Sequence, residues 1–478
     1  MNRSTLFTQT AIGLLTRSAL GCALALGTIA VAGMASAPAQ AADKKKPAAA
    51  PKLSLSKPFM AAAGPLQKAI EAAKTRADVV AARTQFEATE AAIRAAQGAA
   101  ARKTANDNHA VTLAALGKTL TAEKAQLDAA YALIVNPDDR FMAGNLALTL
   151  GQVSKDNTIL RRGLASMLES GKVAVAEQPK LNFYLGSLAY DAKDFVTARS
   201  ALTAAVNGGY HDNDADALLA DAYIIDKQVP QGLAIMRQLV EAGRASGKPA
   251  GQNVMRRGLS VAYNNKLLVD AGFFSAALAE TYPTATNWNA AIAIVRDIGK
   301  FPAQESLDLL RLMQRTKSFI EERDYVDYIE AADARRSPGE VLKIIGLGTA
   351  AGKLRANDVF VAESRTIANQ RLAADKASLP GFERDARSAN STAATAMAAA
   401  DAFLSYDDFA KAADLYRIAE AKPGADKDRA NTRLAIAQIG LGQLAEAKVT
   451  LAKVNGPRKT MAGLWSIYAA SLVAKPVM

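Results

Sequence analysis

The sequence predicts an all-α protein built from repeated helix pairs, and three observations carry that expectation. Alanine runs through almost every segment while aromatics make up only 6% of the chain, and alanine combines the best helix propensity with little preference for strands. Apolar residues recur at three- and four-residue spacing, and no sustained alternation of β-branched residues is found. Small residues also return at a fixed interval, as Gly186 and Ala198 do within "LGSLAYDAKDFVTARSALTAAV". At 478 residues, 50% hydrophobic and 22% charged, the chain is long enough for two or more domains or for an extended repeat array.

Residues 1–41 read as a secretory signal rather than as fold. Arg3 and Arg17 precede the apolar run "ALGCALALGTIAVAGMASA", and Ala39-Gln40-Ala41 fits the small-residue cleavage rule. An uncleaved membrane anchor is the alternative. Cys22, the one cysteine, opens this apolar run instead of ending it, which argues against lipidation. The chain after Ala41 therefore has no cysteine for a disulfide, a thiolate nucleophile or a thiolate metal site. The expected location is the periplasm or another exported compartment.

Net charge is +12, and removing Arg3 and Arg17 leaves +10. The Lys/Pro/Ala-rich segment 42–58, with Lys44, Lys45 and Lys46, carries +4 of this and reads as a linker. The remaining charge is mild and spread out, unlike the concentrated basic face of a nucleic-acid binder. The basic tail would also suit anionic headgroups or an acidic envelope polymer.

From Phe59 to Val135 the pattern predicts two long helices, forming a hairpin or short coiled coil. Leu66, Ile70, Ala73, Ala77 and Val80 make one apolar stripe, with Lys74, Arg76 and Arg83 off it. The turn is expected at Gly98 and the polar run Asn106-Asp107-Asn108, with the second helix from Ala110 to Ile134.

Beyond "VNPDDRF", helical segments alternate with short turns over 140–475. Leu185-Gly186, Phe195, Ala198 and Leu202 match Leu219-Ala220, Val229, Gly232 and Met236 at an offset of 34 residues. Ala400, Phe403, Phe409, Ala412, Tyr416 and Ala419 repeat the design, followed by Ala435, Leu444, Ala447, Leu451 and Val454 at an offset of 35. Small residues at these places let two antiparallel helices cross closely.

These copies resemble the tetratricopeptide repeat family, whose period is 34 residues. The clearest copies span 179–246 and 393–460. The family's early tryptophan and late proline are absent from all four. The 180 residues from Gly232 to Ala412 leave room for five further repeats with an insertion such as "GRASGKPAG". "LSVAYNNKLLVDAGFFSAAL" and "NWNAAIAIVRDIGKF" read as decayed members. The resemblance implies a right-handed α-solenoid, preceded here by the helical hairpin, whose concave groove binds proteins or peptides. By that analogy Lys180, Phe183, Tyr190 and Asp191 face the groove in one repeat, and Asp221, Ile224 and Ile225 in the next. Phe183 and Tyr190 could equally pack between helices.

Chemistry is thinly supplied. His109 and His211 each sit in a polar stretch read as an exposed turn. "HDNDAD", His211 to Asp216, offers oxygen donors but has Ala217 and Tyr223 where a calcium loop needs glycine and glutamate. Asp212 or Asp214 reads better as a helix cap. In "KIIGLGTAAGKL", Leu347 and Leu354 stand where a phosphate loop needs glycine and Ser or Thr. Gly346 and Gly348 are expected to form a turn between helices. No catalytic residue, metal site or cofactor is expected.

The expected function is therefore a non-enzymatic, exported scaffold of a bacterial cell envelope that binds partner proteins. One alternative is an envelope protein holding acidic polysaccharide or peptidoglycan through its tail and groove. Another is a hydrolase with paired carboxylates in a helical cradle.

Overall fold

The computed structural model describes residues 53–473. The expected signal peptide lies outside the described residues, as does the linker up to Lys52 with Lys44, Lys45 and Lys46. The described residues are all-helical, with no strand, and successive helices pack in consecutive pairs in the manner of an α-solenoid. The chain divides into two compact units, Met1–Ile235 and Met236–Met478.

The first unit opens with α1 (Lys57–Ala73), α2 (Ala77–Ala95), α3 (Ala99–Thr119) and α4 (Thr121–Tyr131). Where the sequence suggests two long helices, there are four. The chain breaks at Arg76, whose extended backbone starts α2 while its guanidinium binds Glu123 at 2.6 Å. It breaks again at Leu120. Asn106-Asp107-Asn108 stays helical inside α3, helped by the Lys103–Asp107 pair one turn apart (2.7 Å). The turn of the hairpin is Ala96–Gly98, with Gly98 at φ +84°. Phe59, Leu66, Ile70, Leu116, Leu120 and Leu127 fill the base of this arm. Each fully buried leucine contributes about 1.5–3 kcal/mol.

Three helix pairs begin here: α5 (Pro137–Ser154) with α6 (Asn157–Glu169), α7 (Gln178–Asp191) with α8 (Phe195–Asn207), and α9 (Ala215–Ile225) with α10 (Val229–Ser246). Acids start several second helices. Asp156 accepts from the amides of Thr158 (3.0 Å) and Ile159, and Asp194 from Thr197. The intra-pair turns place Lys155, Lys193 and Lys227 in the left-handed region (φ 55°, 61° and 62°). Glycine is commonest there; a lysine at a helix C-terminus offsets part of the strain through the helix dipole.

The small residues lie at the helix crossings. A Cβ on Gly186 would stand 2.6 Å from Leu202 Cγ, and one on Gly232 would stand 2.6 Å from the Ala220 carbonyl oxygen. Ala198, Ala220, Ala400, Ala412, Ala435 and Ala447 are all fully buried. Gly151 and Gly163 share the same twelve-residue spacing in α5 and α6, which adds a helix pair the sequence reading did not single out. Basic side chains on α4, α6 and α8 each reach an acid in the turn of the following pair. Lys124 binds Asp156 at 2.8 Å, Arg161 binds Asp194, and Arg199 binds Asp226 at 2.7 Å.

The second unit continues with α11 (Gln252–Asn264) and α12 (Leu268–Thr281), then α13 (Ala285–Gly299) and α14 (Ala303–Arg315), then α15 (Glu322–Ala332) and α16 (Pro338–Ala350). The first decayed stretch spans the pair α11 and α12 and the second lies on α13; Gly258 meets the ring of Phe274, sixteen residues on, as Gly186 meets Leu202. A long helix, α17 (Val359–Arg387), precedes α18 (Ala393–Ser405) with α19 (Phe409–Ala421), and α20 (Lys427–Gly440) with α21 (Leu444–Ala452). The last helix, α22 (Lys459–Val473), packs back on α12 and α13. The second unit is thereby closed on itself by its own C-terminal helices.

Candidate interaction site

The residues expected to line a groove separate into two groups. Phe183 and Tyr190 are buried, Phe183 stacked on Tyr210 (4.9 Å between centroids) and Tyr190 edge-on to Phe195 (5.7 Å). Ile224 packs against Gly232 and Ile225 against the same core. These four serve interhelix packing, since their apolar surface is worth more between helices than in water. Lys180 and Asp221 are half-buried, and Asp191 is exposed at the end of α7. Enclosure by surrounding protein raises the Asp191 carboxyl above its ordinary range, with no cation to oppose it.

The other candidate motifs resolve as structure. His109 is within α3, not in a turn. Its ring lies 4.5 Å from Phe86 and its Nδ1 is 3.1 Å from Thr89 Oγ1, so it joins α2 to α3. His211 Nδ1 lies 2.9 Å from Asp216 Oδ2 in an exposed loop. Asp214 occupies the N-cap position of α9 at φ 58° without a side-chain capping bond. Gly346 and Gly348 lie inside α16; the turn is made by Gly352 at φ +65°. Gly348 is needed for packing, because a Cβ there would stand 2.6 Å from Leu354. Among the described residues no group of three His, Asp or Glu is placed to hold a metal, and no helix is long and apolar enough to cross a membrane.

No protein-family model matches the chain, and no curated protein matches it.

A cluster of buried charges lies in the second unit, among residues not singled out from the sequence. Asp308 on α14 is fully buried. Its carboxylate accepts from Arg433 Nε (3.0 and 3.1 Å), Arg458 Nη1 (3.1 Å) and Arg311 Nη1 (3.2 Å). Arg311 also grips Glu340 with two 2.8 Å bonds, and Arg433 reaches Asp401 at 2.6 Å. Tyr328 donates to Glu340 (2.6 Å) and Tyr416 to Asp401 (2.7 Å). Burial and then the adjacent carboxylates hold both phenols well above their ordinary pKa, so they stay protonated donors. Each acid here has a cationic partner, so the cluster is a buried fastening between helices and has no free base for catalysis. The available signal was local: Ser306–Met313 places Asp308 and Arg311 one turn apart in a helix buried on every side.

Proposed function

We propose that the chain is an exported, non-enzymatic scaffold of the tetratricopeptide kind in a bacterial cell envelope. It binds partner proteins along the face made by the first helices of successive pairs in the first unit. The observation that carries this reading is Asp191, an exposed acid at the end of α7 that forms no ion pair among the described residues and whose carboxyl is raised by desolvation. A partner's lysine or arginine would supply the missing counter-charge. The buried apolar members of the predicted groove give the face rigidity, and contacts of modest area on a rigid face lose little to ordering. In the second unit the last helix packs on α12 and α13, and the docking face is assigned to the first unit.

The test is to crosslink the tagged full-length protein in its own cells and identify what is retained at low and at moderate salt. One or two proteins held at moderate salt, and lost from Asp191→Lys, support the scaffold. Only glycan, released as salt rises, moves the assignment to acidic-polymer binding.

A further inference from the structure

Beside the hairpin arm, the end of α3, the start of α4 and the α5–α6 turn enclose an open hollow of about 570 Å³. Leu113, Ala114 and Gly117 form one wall, and Lys118, Lys124 and Lys155 supply the charge. Lys124 is held by Asp156 at 2.8 Å. Lys118 and Lys155 have no ion-pair partner among the described residues, so the hollow carries two uncompensated positive charges. Gly117 keeps it open: the nearest atom to a Cβ there is Lys124 Nζ, at 3.4 Å. A glycine inside a helix costs about 1 kcal/mol relative to alanine, and no neighbouring backbone at this position requires it.

The geometry points to a second docking site here, distinct from the concave face, for an acidic peptide segment that carries an apolar side chain beside its carboxylates. Three features select this ligand. The amides of Thr158 and Ile159 at the head of α6, where a phosphate would sit, are already taken by Asp156. No aromatic ring lines the hollow for a sugar face to stack on. Lysine ammonium groups are point charges on flexible stems that accept carboxylates at varied angles, while Leu113 and Ala114 offer an apolar strip beside them.

The experiment uses the purified chain from Ala42 onward and a fluorescent Glu-Glu-Leu-Glu peptide, read by anisotropy. Its Gln-Gln-Leu-Gln counterpart and inorganic phosphate serve as competitors. Lys118→Gln and Lys155→Asn are expected to weaken binding about threefold to tenfold each; asparagine tolerates the left-handed turn at 155. Gly117→Leu, which fills the hollow, is expected to abolish binding while the circular dichroism and melting curve stay native. Lys193→Asn removes a lysine from the equivalent turn of the next pair, outside the hollow, and is expected to leave binding unchanged. Equal weakening by Lys193→Asn would reveal attraction by the whole edge and overturn the site. So would phosphate competing as well as the peptide, unaltered binding by folded Gly117→Leu, or no binding at all.

Discussion

Arg433 holds Asp308 through its Nε, at 3.0 and 3.1 Å to the two carboxylate oxygens, across 125 residues of chain. That contact, with Arg458 and the Trp465 indole on the same residue, ties α20 and α22 to α14. Removing one member strands charges where water cannot reach. Arg433→Met is therefore expected to cost about 3–5 kcal/mol. Both tryptophans, Trp288 and Trp465, lie in the second unit, so urea unfolding followed by tryptophan fluorescence reads it alone. A loss below about 1 kcal/mol, the value of an exposed pair, would show that the network does not close the unit.

The same acid sets a pH dependence. Burial alone would raise the Asp308 carboxyl, but Arg433, Arg311 and Arg458 outweigh burial and hold it below its usual 3.8. The unfolded chain then takes up this proton at higher pH than the folded one. The contribution is complete above that ordinary value and is lost as pH falls through the folded one. Tryptophan-monitored stability is expected to be flat from neutrality to about pH 5 and to drop steeply below about pH 4. A second unit that is as stable at pH 3 as at pH 6 contradicts this.

Two glycines should respond oppositely to the same change. Gly186→Ala pushes a methyl against Leu202, within 2.6 Å of its Cγ, and is expected to destabilise by about 1–3 kcal/mol. Gly346 lies mid-helix with nothing within 4 Å of a Cβ. Gly346→Ala is expected to stabilise by about 0.5–1 kcal/mol. The Leu202→Ala background should shrink the Gly186 penalty, because the two side chains then share one space; an additive double mutant argues against a steric cause.

Asp191→Asn should trade function for stability. The raised carboxyl means that the charged form is disfavoured in the folded state. Neutralising it is expected to raise the melting temperature slightly at pH 7 and to weaken partner capture. A lowered melting temperature would mean that Asp191 has a stabilising counter-charge and is not the open acid of a docking face.

The helix pairs were legible because their cause is local. A small residue twelve positions before another, at Gly186/Ala198 or Ala435/Ala447, marks a crossing whatever lies around it. Gly151 and Gly163 carried the same twelve-residue signal in α5 and α6. Of the residues assigned to a groove by repeat position, Phe183 and Tyr190 are buried between helices, and their surfaces suit either a groove or an interior. Periodicity cannot decide between those. Asp308 was legible only as far as Arg311, one turn away on the same helix. Its partners Arg433 and Arg458 lie 125 and 150 residues away, and sequence pattern carries no information on which distant helices meet.

Ser54 and Ser56 donate their backbone amides to Asp138 (2.9 Å) and Asp139 (2.8 Å) at the head of α5. The hairpin arm between them is thus a sealed excursion that leaves and re-enters the molecule at one knot of bonds. Breaking those two bonds would free the start of the arm from α5, so the arm's two ends share one fastening although more than eighty residues of chain lie between them.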